Sequence, residues 1–178
     1  ARALARASGG RPGLAFSWAR TPLVLKQRQA VLDIFAEALA AQRAAHRDPS
    51  HGARSLRLAE RLRGLIGETK GEARSKAEEE EGPARPAKML HSSNLETALT
   101  YLRDLLLLCE GANPHLAQNQ DRLAELQEQA RHTEPLRVLE DIESVREAQQ
   151  LLDRNVAPQL VLERMFWALI CGRIPAGG

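Results

Sequence analysis

TALTYLRDLLLLCEG, residues Thr97 to Gly111, is the stretch whose reading decides the fold. Leu95, Leu99, Leu102, Leu106 and Cys109 recur three or four apart, the spacing of one helix face. Ala98, Leu105, Leu107 and Leu108 widen the stripe until the helix is apolar over much of its circumference. A helix of that kind belongs in the middle of a bundle. Ser93 or Asn94 is the expected N-cap with Glu96 in the first turn, and Gly111 and Pro114 end the helix. Arg103 and Asp104 interrupt its most apolar part. An unpaired buried charge is costly, so each must reach water or a partner. Consecutive residues stand about 100° apart around a helix, so the two need not pair with each other. They form either an exposed stripe on the bundle's outer edge or a pair that faces another subunit.

Helical punctuation continues on both sides. Downstream, Asn119 or Asp121 opens a shorter helix to about Arg131, carrying Leu123 and Leu126. Thr133 is the expected cap of a long helix with Glu134-Pro135 in its first turn and a buried face of Leu139, Ile142, Val145, Ala148, Gln149 and Leu152. Asn155 suits the left-handed stop position, and Pro158 opens a last helix to about Cys171. Its VLERMFWALI is so dense in apolar residues that most must be buried.

Upstream, Thr21 and Pro22 open a helix to about His46 through Val24, Ala30, Val31, Ile34, Phe35, Ala38 and Leu39. A second helix spans about Ala53 to Ile66 and presents Leu58, Leu62, Leu65 and Ile66. Between about 67 and 90, GETKGEARSKAEEEEGPARPAK has no large apolar residue and reads as a charged linker, insertion or frayed helical extension. At the start, Arg2 to Ala7 looks like the end of a helix, and Pro12 opens a short one to about Ala19. With Ala1 in place of Met, these residues read as part of a longer protein.

Composition agrees with an all-α helical bundle. Apolar residues reach 43% while aromatics are only 3%, so the core must come from Leu and Ala, both strong helix formers. Charge is uneven: residues 1–67 hold 12 Lys/Arg against 4 Asp/Glu, and residues 89–178 hold 8 against 13. A basic half joined to an acidic half favours head-to-tail packing with a similar neighbour, or else these are solvated helix faces. A basic helical nucleic-acid-binding module using residues 1–67 is the alternative from another class, though no aromatic platform accompanies it.

Reactive chemistry is sparse. His46, His51, His91, His115 and His132 fall at helix ends or in loops without a second His or Cys at ligand spacing, so no metal is expected. The sequence has no G-x-S-x-G, phosphate-loop or G-x-G-x-x-G pattern. Gly9-Gly10-Arg11-Pro12-Gly13 lacks the strand and lysine of a nucleotide loop and reads as a helix-to-helix turn. Cys109 and Cys171 lie far apart on apolar helical patterns, which points to buried reduced thiols and a cytoplasmic protein. No apolar run has the length of a membrane span.

Three segments, taken in order, resemble the bacterial DNA polymerase III clamp-loader family. LARASGGRPGLAFSWA resembles the final helices of an AAA+ lid domain, with Gly10, Pro12, Gly13 and Ala15 on a small-Gly-x-Pro-Gly-x-Ala pattern. TALTYLRDLLLLCEG resembles the collar helix marked by an aromatic, one apolar residue and Arg-Asp-Leu-Leu: Tyr101, Arg103, Asp104, Leu105 and Leu106 fit. ESVREAQQLLDRNVAPQLVLERMFWAL resembles the collar's closing helix pair through Arg154, Asn155, Val156, Pro158 and Leu160.

In ATP-hydrolysing relatives the lid carries an arginine near the nucleotide's γ-phosphate. Gly13 occupies that position here, so the likeness is to the delta-prime type, with a gamma- or tau-type motor collar as the rival. The resemblance implies a lid remnant over 1–20 and a collar domain over 21–178. It implies a non-catalytic role in holding clamp-loader subunits together, with no cofactor, no small-molecule substrate and DNA met only through the complex. On that reading Leu102, Leu105 and Leu106 are core, Arg103, Asp104, Arg154 and Asn155 are candidate interface residues, and Pro158 fixes the crossing of the last two helices.

Overall fold

The computed structural model describes residues 22–44, 50–77 and 87–172. They form six α-helices: α1 (Pro22–Ala44), α2 (His51–Ala77), α3 (Ala87–Cys109), α4 (Leu123–Ala130), α5 (Pro135–Asp153) and α6 (Pro158–Cys171). Two 3₁₀ turns, Pro114–Leu116 and Gln120–Arg122, lie between α3 and α4. Among the described residues there is no strand. The protein is an all-α helical bundle. Gly10, Pro12 and Gly13, with the lid segment expected over 1–20, lie outside the described residues.

The helices begin and end for local reasons. Pro135 and Pro158 stand in the first turns of α5 and α6, where a missing N–H costs nothing. Gly111 leaves α3 at φ 70° and Asn155 leaves α5 at φ 61°, the left-handed geometry that glycine, lacking a Cβ, and asparagine tolerate best. Both stops are where the sequence places them.

Packing is pairwise around one core. α6 lies most extensively along α2, α3 lies along α5, and α1 touches α2, α3 and α6. The core joins Phe35, Leu58, Leu62, Leu95, Leu102, Leu105, Leu126, Val145, Leu162 and Phe166. Phe35 and Phe166 bring α1 against α6 with ring centroids 5.4 Å apart and a 45° tilt. Each such side chain contributes about 1.5–3 kcal/mol by leaving water. Leu102 and Leu105 are fully buried as expected, and Leu106 packs half-buried against the same cluster.

Several expected boundaries move. α2 runs on through the charged stretch to Ala77, and α3 starts at Ala87, six residues ahead of the expected cap. Glu, Lys, Arg and Ala are good helix formers, so backbone propensity extends α2 past its last large apolar residues. Ser93 and Asn94 are therefore inside α3. Buried Asn94 accepts a hydrogen bond from Gln27 Nε2 (2.9 Å), and His91, expected at a helix end or in a loop, is buried within the same helix. Thr133 does not cap α5: its hydroxyl donates back to Gln129 O (2.8 Å), and Glu134 takes the cap position. The inner face of α5 is Val138, Asp141, Val145, Ala148 and Leu152, while Leu139 is 44% exposed. Val145, Ala148 and Leu152 are buried as expected and Ile142 packs half-buried against the core, while Val138 and Asp141 take the inner place expected of Leu139. Cys109 is half-buried and Cys171 exposed, so only the free state of the two thiols matches expectation.

Candidate functional site

Asp104 is fully buried and is not a rim residue. Its Oδ2 accepts the backbone N–H groups of Gln118 (2.8 Å) and Asn119 (2.7 Å) and the Asn119 side-chain amide (2.8 Å). The carboxylate thus anchors the loop after α3 against the middle of that helix. Arg103, about 100° around the helix, stays half-exposed, with Nη1 3.4 Å from Asp104 Oδ1. Of the two, only Arg103 remains on the surface.

From Asn119 the hydrogen bonding spreads into α1. Arg28, 7% exposed, donates from Nη2 to Asn119 Oδ1 (2.6 Å) and spans Asp121 with both terminal nitrogens (2.7 and 3.0 Å). Paired parallel bonds of this kind are among the stronger polar contacts in proteins. Gln29 Nε2 donates to Asp121 Oδ2 (2.9 Å), and Gln29 Oε1 accepts from Arg122 Nε and Nη2 (3.1 and 2.6 Å). Arg122 reaches Asp33 (2.5 Å) and Glu125 (3.2 Å). The Tyr101 hydroxyl closes the chain of contacts by donating to Glu125 Oε1 (2.7 Å), with Gln129 Oε1 at 3.1 Å.

These surroundings set the proton affinities. Burial alone would raise the Asp121 carboxyl, but hydrogen bonds from Arg28 and Gln29 and the Arg28 charge outweigh it and hold it below the usual range. Burial and then the bond to Glu125 push the Tyr101 hydroxyl far up, so it stays a neutral donor. The titratable groups here serve to join α1, α3, α4 and the intervening loop.

The opposite end of α1 carries a second buried carboxylate. Asp141 on α5 is fully buried, and Gln42 Nε2 donates to both its oxygens (3.1 and 3.0 Å). Arg137 Nη2 lies 3.3 Å from Asp141 Oδ1 and donates to Ala168 O (3.0 Å) and Leu169 O (2.8 Å). A guanidinium on the last carbonyls of α6 also complements that helix's negative end.

The outer surface of α6 differs from both. Leu160 is 63% and Trp167 39% exposed, while Val161, Leu162, Met165, Phe166, Leu169 and Ile170 fill the inner face. Leu160, Arg164, Trp167 and Cys171 recur at four-three-four spacing along the outer side, a seam that is apolar at Leu160 and Trp167 and interrupted by Arg164. Trp167 packs over Gly52, where an added Cβ would stand 3.2 Å from the ring, and meets the His51 ring edge-on at 5.7 Å. Arg63 donates to Gln159 (3.3 Å), so α2 and α6 run antiparallel, and exposed Leu56 falls between the levels of Trp167 and Leu160. At the N-terminal end of the seam, Arg154, Asn155, Val156, Pro158 and Leu160 are all exposed.

The expected interface residues therefore divide. Arg103 stands apart from the α5–α6 turn that presents Arg154 and Asn155, and Asp104 belongs to the interior. Leu56 and Trp167 are exposed as well, which a dense apolar run such as that of α6 does not reveal, because it does not show which of its members lie on the far side. Among the described residues no group of His, Cys, Asp and Glu is arranged to hold a metal ion, and no helix is long and apolar enough to cross a membrane. Comparison with protein-family models, with curated proteins and with solved structures finds no match for this chain.

Proposed function

We propose that this chain is a subunit-assembly module, of the kind found in the collar of the bacterial DNA polymerase III clamp loader and nearest to the delta-prime type. Its partners on this reading are the collar helices of sister subunits, and its contribution is contact surface rather than bond chemistry. The observation that carries the reading is the exposure of the whole Arg154–Leu160 motif. The turn itself needs only Asn155 for its left-handed backbone and Pro158 for the helix start. Folding gives no reason for Val156 and Leu160 to face water, as Leu56 and Trp167 also do. Exposed apolar side chains bordered by charge are a usual mark of a protein contact.

The test is co-elution of the chain with the collar region of a motor-type clamp-loader subunit from the same genome. The pair is expected to co-elute, and Leu160→Asp combined with Val156→Asp is expected to weaken the complex by roughly ten-fold or more, the size of a central contact. An Arg103→Ala variant separates the two surfaces: unchanged affinity places the contact on the α6 side alone. No association, or full binding by the Leu160 and Val156 double variant while it remains folded, overturns this assignment.

A further inference from the structure

Hydrogen-bond donors are shared at the meeting of α1, α5 and α6. Gln42 has one side-chain amide group with two hydrogens, yet three acceptors lie around it: Asp141 Oδ1 and Oδ2 and, at 2.7 Å, Leu169 O. Arg137 Nη2 likewise serves Ala168 O and Leu169 O while standing 3.3 Å from Asp141 Oδ1. Asp104, by contrast, has three N–H groups on one oxygen. A fully buried carboxylate with only shared donors competes for them with the last carbonyls of α6.

We propose that Asp141 and the α6 carbonyls draw on one set of donors, so that protonation of this carboxyl hands Gln42 and Arg137 to the last turn of α6 and latches it against α1 and α5. With the carboxylate charged, the same donors are drawn back to it and the turn loosens. Burial is the main influence on this carboxyl. Arg137 and the Gln42 bonds oppose it, Glu140 adds to it, and the balance lifts the group to about 7. The latch therefore closes below neutral pH and opens above it. Other charged and titratable groups line the cavity that Gln42 and Arg137 also border: Arg43 from α1, His51 from α2, His132 and Glu134 ahead of α5, and Cys171 from α6. No charged side chain of α3 is among the groups that act on Asp141. Trp167 lies two residues before Leu169, so the latch also bears on the α6 seam. That consequence rests on the assembly reading, whereas the latch does not.

Hydrogen exchange in the full chain, followed by NMR and corrected for intrinsic pH dependence, tests the latch at the Leu169–Gly172 amides. Their protection is expected to be roughly three-fold or more higher at about pH 6 than at about pH 8, and equal at both in Asp141→Asn. His51→Gln and His132→Gln are expected to keep the difference. Carboxyl-carbon titration of Asp141 in the unaltered chain decides independently of how any variant folds: a midpoint near 7 supports the latch, and one below about 5 overturns it. Persistence of the pH dependence in Asp141→Asn, or its loss in either histidine variant, also overturns it.

Discussion

Two fully buried aspartates mark opposite ends of α1's reach, and they are held in different ways. Asp104 is surrounded by dedicated donors: two backbone N–H groups and one side-chain amide converge on a single oxygen. Asp141 has a two-coordinate contact with Gln42 and a longer approach to Arg137, and both partners also serve α6. Backbone donors fixed in a loop need no side-chain ordering to stay in place, whereas long side chains shared among acceptors lose freedom for every bond they make. A buried carboxylate is therefore a rigid joint at the first end and a protonation-sensitive one at the second. Burial alone does not decide which; the supply of donors does.

The largest expected effect follows from removing the better-supplied carboxylate. Asp104→Ala leaves three N–H groups facing a cavity beside the buried Arg28. Losing one member of such a buried network costs about 3–5 kcal/mol, measurable as a lower midpoint in urea unfolding. A loss below about 1 kcal/mol would show that water replaces the carboxylate easily, and the contrast between the two ends would disappear.

Asp141→Asn should act in the opposite direction. The folded carboxyl is raised to about 7 from the usual 3.8. The native state then holds its proton more tightly than the unfolded chain does. Stability from this group is fully present below about 4 and is lost as pH rises through about 7. The amide variant removes that loss, so its advantage over the unaltered chain grows with pH and reaches on the order of 4 kcal/mol at pH 8. Thermal or urea unfolding at pH 5 and pH 8 checks the sign. Equal stability differences at both pH values would mean that Asp141 is charged throughout.

Neither aspartate's role was legible in the sequence. Asp104 reads as an outer-edge or subunit-facing residue, and Asp141, which follows Glu140, falls outside the expected inner face of α5, because charge within an apolar pattern normally marks the wet side. Its satisfaction depends on partners far along the chain: Gln42 is 99 residues from Asp141, and Arg28 is 93 from Asp121. Periodicity carries no such information. Features set by their own neighbours were legible: the leucine face of α3, the left-handed Asn155 and the proline start of α6. The candidate surface was legible in part. Its turn was marked by a motif, but the exposure of Leu56 and Trp167 depends on how α2 and α6 pack.

A smaller effect is expected where the Asp104 network ends. Tyr101→Phe keeps the buried ring and removes one hydroxyl, leaving Glu125 to Arg122 and Gln129. One charge-assisted hydrogen bond at an edge that reaches water costs about 1–1.5 kcal/mol. A loss as large as that from Asp104→Ala would make Tyr101, and not the loop anchor, the centre of that end.

The smallest effect concerns acid. The folded Asp121 carboxyl lies below its ordinary value, despite burial, through its bonds from Arg28 and Gln29. Its stabilisation is present above about 3.8 and is lost as pH falls through the lower folded value. The side chain is 33% exposed, so water screens the pair and the contribution is below about 1 kcal/mol. Asp121→Asn should therefore cost little at neutral pH and shrink the stability lost as pH falls below about 4, while leaving the Asp141-dependent change above pH 5 untouched. That independence follows from the separation of the two ends: their polar contacts share no side chain. If Asp121→Asn also shifts the neutral-pH limb, α1 is transmitting strain between them, and the two ends act as one joint.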